Sequence, residues 1–153
     1  MNVALQRDIG SLIKSAFGLI PNVVTAGGAG DGTEQDGAWV NREGQLSGKL
    51  VVSYSTTLAE GETLTLAANL QDDTAGDGAA AADFGDAYAA AVVATGGTGG
   101  STETGTIEID VDLSGADAYV RCQVTPTLSA ATTDTVALSG TFVFGGSQET
   151  PNV

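Results

Sequence analysis

Residues 106–113 read Thr-Ile-Glu-Ile-Asp-Val-Asp-Leu, so Ile107, Ile109, Val111 and Leu113 alternate with Glu108, Asp110 and Asp112. Successive side chains of a strand point to opposite faces. Extended, this run collects four aliphatics on one face and three carboxylates on the other; a helix would scatter both sets. The run predicts antiparallel sheet with one buried and one wet face. Two further runs follow it. Tyr119 to Thr125 carries Val120, Cys122 and Val124 at the same period, and Thr135 to Phe144 carries Val136, Leu138, Phe142 and Phe144. Together these eleven apolar residues form the expected interior.

The link between the first two runs has two readings. In a direct hairpin, inward residues must face one another. That sets Leu113 opposite Val120, Val111 opposite Cys122, and Asp112 opposite Arg121. Alternatively the two strands lie in different sheets and the pairing does not exist.

Upstream, Lys49 to Ser55 puts Leu50, Val52 and Tyr54 on one face. Thr63 to Leu70 puts Leu64, Leu66, Ala68 and Leu70 inward, with Thr63, Thr65 and Asn69 outward. The link Leu58-Ala59-Glu60-Gly61-Glu62 fits a hairpin loop. Trp39 and Val40 begin a short strand. For Tyr88 to Ala94, the alanines favour helix, while Val92, Val93 and the abrupt Gly96–Gly100 stop favour strand. Residues 26–37 read as a flexible loop, and the acidic, Gly- and Ala-rich stretch 72–86 as a long one. Six or more strands separated by turn signals predict an all-β chain, an antiparallel β-sandwich or barrel.

The N-terminus carries a different period. Leu5, Ile9, Leu12, Ile13, Ala16, Phe17 and Ile20 recur at spacings of three and four, with Asp8 near the start and Pro21 at the end. That stripe predicts a short helix. The expected organisation is an N-terminal arm at 1–21, a sandwich domain at 22–146 and a polar tail at 147–153. An amphipathic arm with only Arg7 and Lys14 as cations is too poor in charge for a membrane-surface helix. It is expected to dock on protein, with Leu12, Phe17 and Ile20 as assembly contacts.

Charge limits the partners. The 153 residues include 19 acidic and 5 basic ones, a net charge of −14. Nucleic acid and anionic membranes repel such a surface, since phosphate binding needs clustered Lys or Arg. No apolar run approaches the ~18 residues of a membrane span. The N-terminus lacks the features of a secretory signal, so synthesis in the cytoplasm is expected.

Catalytic chemistry is sparse. There is no His, which removes the commonest general base, the Ser/His/Asp triad and His-ligated metals. Cys122 is the only cysteine, so no intrachain disulfide forms. It reads as a small buried hydrophobe. Glu108, Asp110 and Asp112 read as a solvated face. The Asp72–Asp86 stretch lacks the ligand order of an EF-hand. Gly27 to Gly32 brushes a calcium repeat, but Gly32 stands where Asp is needed. Gly44 to Leu50 has three residues between its glycines, and Leu50 where a phosphate-binding loop needs Ser or Thr. No enzyme activity, cofactor or metal is expected.

The segment Gly105 to Arg121, the polar gap Ser129 to Thr135, the closing strand with Phe144-Gly145-Gly146, and upstream Leu64 to Asp73 together resemble the decoration, or cement, proteins of tailed-phage capsids. The resemblance covers about two-thirds of the chain and carries no catalytic motif. It implies a jelly-roll-like sandwich, usually a homotrimer, bound to the major capsid protein on the outside of the virion. The other readings are a different virion or surface β-module, such as a tail-tube, fibre or adhesin domain, and a calcium-dependent carbohydrate-binding module.

Overall fold

The computed structural model of the chain describes residues 9–147. After a single 3-10 turn at Ile9–Ser11, nine strands follow. They are β1 (Lys14–Thr25), β2 (Gln35–Asp36), β3 (Val40–Asn41), β4 (Ser47–Leu58), β5 (Thr63–Asp73), β6 (Ala82–Thr95), β7 (Ser101–Asp112), β8 (Tyr119–Leu128) and β9 (Thr135–Gly145). They form two antiparallel sheets. The first has the order β1-β9-β4-β7, and the second β2-β8-β5-β6, with β3 also on β8. The chain changes sheet at every long connection except β5–β6. Counting β2 and β3 as one interrupted strand, eight positions are arranged first-eighth-third-sixth over second-seventh-fourth-fifth. That is a jelly roll, the sandwich the sequence predicts.

The inward faces follow the alternation. Ile107, Ile109, Val111 and Leu113 are buried, as are Val120, Cys122, Val124, Val136, Leu138, Phe142 and Phe144. Leu64, Leu66, Ala68 and Leu70 of β5, in the same sheet as Val120, Cys122 and Val124, are also buried, none more than 4% exposed. Phe142 and Phe144 stack at 5.4 Å between ring centroids.

Several expectations are corrected. Apart from the 3-10 turn at Ile9–Ser11, the helical stripe at 1–21 is not a helix where the structure describes it. Lys14 to Pro21 belong to β1, which pairs with β9 from Lys14↔Phe144 to Thr25↔Thr135. The spacings of three and four do not report a helix: Ile9, Leu12 and Ile13 precede β1, and within β1 the register slips twice, between Phe17 and Leu19 and between Leu19 and Asn22. Pro21 falls within the second irregularity of an edge strand, where a missing N–H is tolerated. Gly18 allows a close approach: a Cβ there would lie 3.1 Å from both Cys122 Sγ and the Phe142 ring. Leu5 and Asp8 of the stripe, and most of the 147–153 tail, lie outside the described residues.

The hairpin reading of 106–113 and 119–125 is also replaced. β7 pairs β4 in the first sheet, while β8 pairs β5, β2 and β3 in the second. The Leu113–Val120 and Asp112–Arg121 pairs do not form. The Leu58–Glu62 link likewise carries the chain across the sandwich rather than around a hairpin. The stretch 72–86 is only partly loop, since β5 runs to Asp73 and β6 starts at Ala82. Tyr88 to Ala94 is strand, within β6, and β7 starts at Ser101 rather than at Thr106.

Candidate assembly surface

The outer face of the first sheet can be read row by row from its registers. Three rows cross the sheet without a charge. Thr25, Thr135, Thr57 and Thr102 make one, and Val23, Ala137, Ser55 and Thr104 the next. Ser139, Ser53 and Thr106 make the third, beside the β1 irregularity. Outward side chains share a face because their register partners do. The Thr57 and Thr102 hydroxyls are 3.2 Å apart. The face is small-residued, hydroxyl-rich and uncharged, on a chain of net charge −14.

Charge returns at the other end of the sheet. Phe17–Thr141–Val51 leads to Glu108, and Ser15–Val143–Lys49 leads to Asp110. Lys49 Nζ lies 2.6 Å from Glu108 and 2.9 Å from Asp110. Hydrogen bonds to these two carboxylates raise the Lys49 pKa. As the alternation predicts, Glu108, Asp110 and Asp112 point to solvent.

The three residues expected as assembly contacts sit on or beside β1. Phe17 is 67% and Ile20 68% exposed, and Val23 adds a third large exposed side chain at 65%. Leu12 is half-buried before the strand, its N–H bonded to the Ile9 carbonyl. Phe17 and Val23 lie in the sheet-face rows above. Leu12 is not in these rows. Sequence reasoning missed Val23 and the hydroxyl rows. The alternation Thr102, Thr104, Thr106 was present as a signal, but nothing local says which strands lie beside it.

The outer face of the second sheet is built differently. Arg121 Nε and Nη2 bond Gln71 Oε1 at 3.0 and 2.7 Å, Nη1 lies 3.2 Å from Asp36, and the guanidinium stacks 4.7 Å over Trp39. Gln123 donates to Glu34 and Asp36 and accepts from Asn69. Asn69 and Gln71 both donate to Asp83. These donors and acceptors are engaged with one another, so the network braces β2, β8, β5 and β6.

The acidic residues of 72–86 serve as staples. Asp73, buried, accepts the N–H groups of Asp77, Gly78 and Ala80, and Asp72 accepts that of Asp117. Asp31 does the same in the 26–37 loop, holding the N–H groups of Gly27 and Leu128. That loop, read as flexible, also contains β2. Among the described residues no group of three or more His, Cys, Asp or Glu is placed to hold a metal. Burial pushes the Cys122 thiol up to about 12, which leaves it protonated and inert at neutral pH.

The fold and surface therefore define a jelly-roll domain with an uncharged, hydroxyl-lined outer sheet face. No protein-family model and no curated protein matches the sequence. Among solved structures, the chain is similar to a chain of an infectious bursal disease virus strain Gx structure (TM-score 0.46, 14% identity, 91% of this chain and 33% of that one). It is also similar to VP2 of the same virus in a subviral particle (TM-score 0.43, 12% identity, 86% and 32%). A dimeric latent PorU from Porphyromonas gingivalis matches at TM-score 0.43 and 12% identity over 88% of this chain and 12% of that one. The chain spans a third or less of each of these proteins.

Proposed function

We propose that this chain is a non-enzymatic structural protein of a virion, a decoration protein that binds the major capsid protein on the outside of a tailed-phage capsid and stabilises it. The observation that carries this reading is the segregation of its surface. An uncharged, hydroxyl-lined sheet face that includes Val23 stands on a molecule of net charge −14, with exposed Phe17 and Ile20 further along β1. Interfaces are depleted of charge at their centre and rimmed by polar residues, and a cluster of exposed apolar side chains marks a contact site. Synthesis in the host cytoplasm and a final place on the capsid exterior follow from the same reading, as do the absence of nucleic-acid and membrane partners.

The protein acts as a homotrimer, with the uncharged face toward the three-fold axis and the β7 carboxylates away from it. Closed symmetry is the usual way to cover such a face. At −14 per chain, like-charge repulsion opposes association and salt relieves it. The test is sedimentation of the isolated protein at low and high salt, then rebinding to capsids stripped of it. A salt-strengthened trimer that rebinds supports the proposal. A monomer under both conditions that ignores capsids overturns it.

A further inference from the structure

At one end of the sandwich β4 runs into β5, β6 into β7 and β8 into β9. Acids hold the turns there. Glu60 accepts the N–H of Gly99, Glu62 bonds the Ser129 hydroxyl, and Asp31 accepts the N–H of Leu128. The basic side chains of residues 9–147 lie toward the other end. Lys14 and Lys49 stand level with Phe144 and Val143 at the finish of β9, Arg42 bonds the Asp117 carbonyl ahead of β8, and Arg121 is level with Gln71. A pocket of about 530 Å³ opens among the acidic turns, and its lining includes Thr57, Gly99, Gly100, Thr102, Thr133 and Asp134. Asp134 is 2% exposed. Its Oδ1 accepts the Ala59 N–H at 3.0 Å, while its Oδ2 is buried with no hydrogen-bond partner among the described residues. An unpaired buried carboxylate oxygen is costly and calls for an explanation. Thr133 beside it is held at φ 81°, the one non-glycine residue with positive φ among those described. Strain of this kind gathers at ligand clamps. Thr57 and Thr102 also belong to the uncharged hydroxyl row, so the pocket borders the face proposed for contact.

We infer that this pocket receives a lysine side chain of the capsid protein, whose ammonium donates to Asp134 Oδ2. The acidic end selects a cation. A calcium ion is a poor fit, since it takes about six to eight oxygens and among the described residues no three His, Cys, Asp or Glu converge to hold a metal. Arginine is a poor fit for another reason. Its fork pairs with both oxygens of a carboxylate, and Oδ1 is already taken by the Ala59 N–H. A compact ammonium needs only the one oxygen, with hydroxyl and carbonyl oxygens for its other protons. Reaching Oδ2 takes a shift of the turn at Thr133, and leaving φ 81° releases strain that offsets part of the cost of that shift.

The experiment is a magnetic-resonance titration of the full chain with a blocked Gly-Gly-Lys-Gly-Gly peptide, its Nε-acetyl form and its arginine counterpart. The proposal expects saturable shifts of the Ala59, Gly100 and Asp134 amide signals with the lysine peptide, none with the acetylated one, and no tighter binding by arginine. Asp134→Asn keeps an oxygen for the Ala59 N–H but sets an amide N–H₂ where the ammonium donates. It is expected to weaken peptide binding by about tenfold and to melt no lower than the wild type, whereas a merely structural Asp134 would lose stability. Glu60→Gln removes the same charge from this end and is expected to weaken binding only about twofold. Shifts as large with the acetylated peptide, tighter binding of the arginine one, or equal losses from the two substitutions overturns the proposal. In sedimentation Asp134→Asn should assemble as the wild type does; a loss of assembly would give the pocket to a second copy and overturn the choice of partner. That the lysine belongs to the capsid protein rests on the function proposed above. The titration uses no capsid, so the pocket and that reading can fail separately.

Discussion

Tyr54, on β4 of the first sheet, donates its hydroxyl proton to the carbonyl of Val93, on β6 of the second, at 2.8 Å. It is a side-chain tie between the sheets on the β6–β7 side. Gly105 makes room for it, because a Cβ there would lie 2.5 Å from the Tyr54 hydroxyl. Tyr54→Phe removes the tie while keeping the ring, and is expected to cost about 1 kcal/mol. Amide exchange in β6 should rise more than in β5. Burial, with smaller contributions from Tyr88 and Glu103, raises the Tyr54 pKa above its ordinary 10.0. The folded state thus holds the proton longer than the unfolded one. The stabilisation is complete below pH 10 and is lost as pH rises through the folded pKa. Thermal melts from pH 9 upward should show a steeper loss in the wild type than in Tyr54→Phe. Parallel curves would show that the Tyr54 hydroxyl titrates alike in the folded and unfolded states.

Asp73 governs the acid side. Burial alone would raise its pKa, but the backbone N–H groups of Gly78, Ala80, Asp77 and Gly76 outweigh that and hold it below 3.8. A depressed folded pKa gives stability that is present above the unfolded value and lost as pH falls through the folded one. The wild type should therefore lose melting temperature on acidification below about pH 4. Asp73→Asn should melt lower at neutral pH and show a shallower acid limb, because an amide cannot replace a carboxylate toward these converging N–H groups. An unchanged acid limb would remove Asp73 from the account.

These two residues show where sequence reading succeeds and where it stops. Inward faces at a strict period of two were readable throughout, because each depends only on its own strand. Ile107 and Leu66 needed no knowledge of their neighbours. Sheet membership was not readable: β7 and β8 are adjacent in sequence with compatible parity, yet a jelly roll separates them. β1 misled for a definable reason. Two register slips within twelve residues break its period of two, and Ile9, Leu12 and Ile13, which precede the strand, complete a spacing that imitates a helix. Asp73 looked like a loop carboxylate because its donors come from the turn it organises. The assembly residues Phe17 and Ile20 were singled out as members of an expected amphipathic helical arm; their exposure on an edge strand required the fold.

Cys122 and Phe142 test the packing between the sheets. A Cβ at Gly18 would meet both residues at 3.1 Å, so the space there is closely filled. Phe142→Ala should cost about 3–5 kcal/mol, read from denaturant unfolding. The Cys122 thiol should resist iodoacetamide at pH 8 for as long as the protein stays folded, and react fully in denaturant. Rapid labelling of the folded protein would mean that the sheets part at Gly18 far more often than the packing implies.

The assembly reading is best tested on β1, by substitution rather than deletion. Removing residues 1–18 would cut the strand that pairs with β9 and confuse loss of fold with loss of contact. Phe17→Asp and Ile20→Asp avoid this, because both side chains are about two-thirds exposed and neither fills the interior. Each variant should melt within a few degrees of the wild type, as surface changes usually do. Each should lose most rebinding to stripped capsids, since a carboxylate placed in an uncharged contact is desolvated without a partner. Raising salt should strengthen wild-type association by screening a charge of −14 per chain, and should recover little of the variants' loss, which arises from desolvation and not from long-range repulsion. Full rebinding by both variants at unchanged stability would show that β1 does not carry the contact. The hydroxyl rows on β4 and β7 would then be the next positions to substitute.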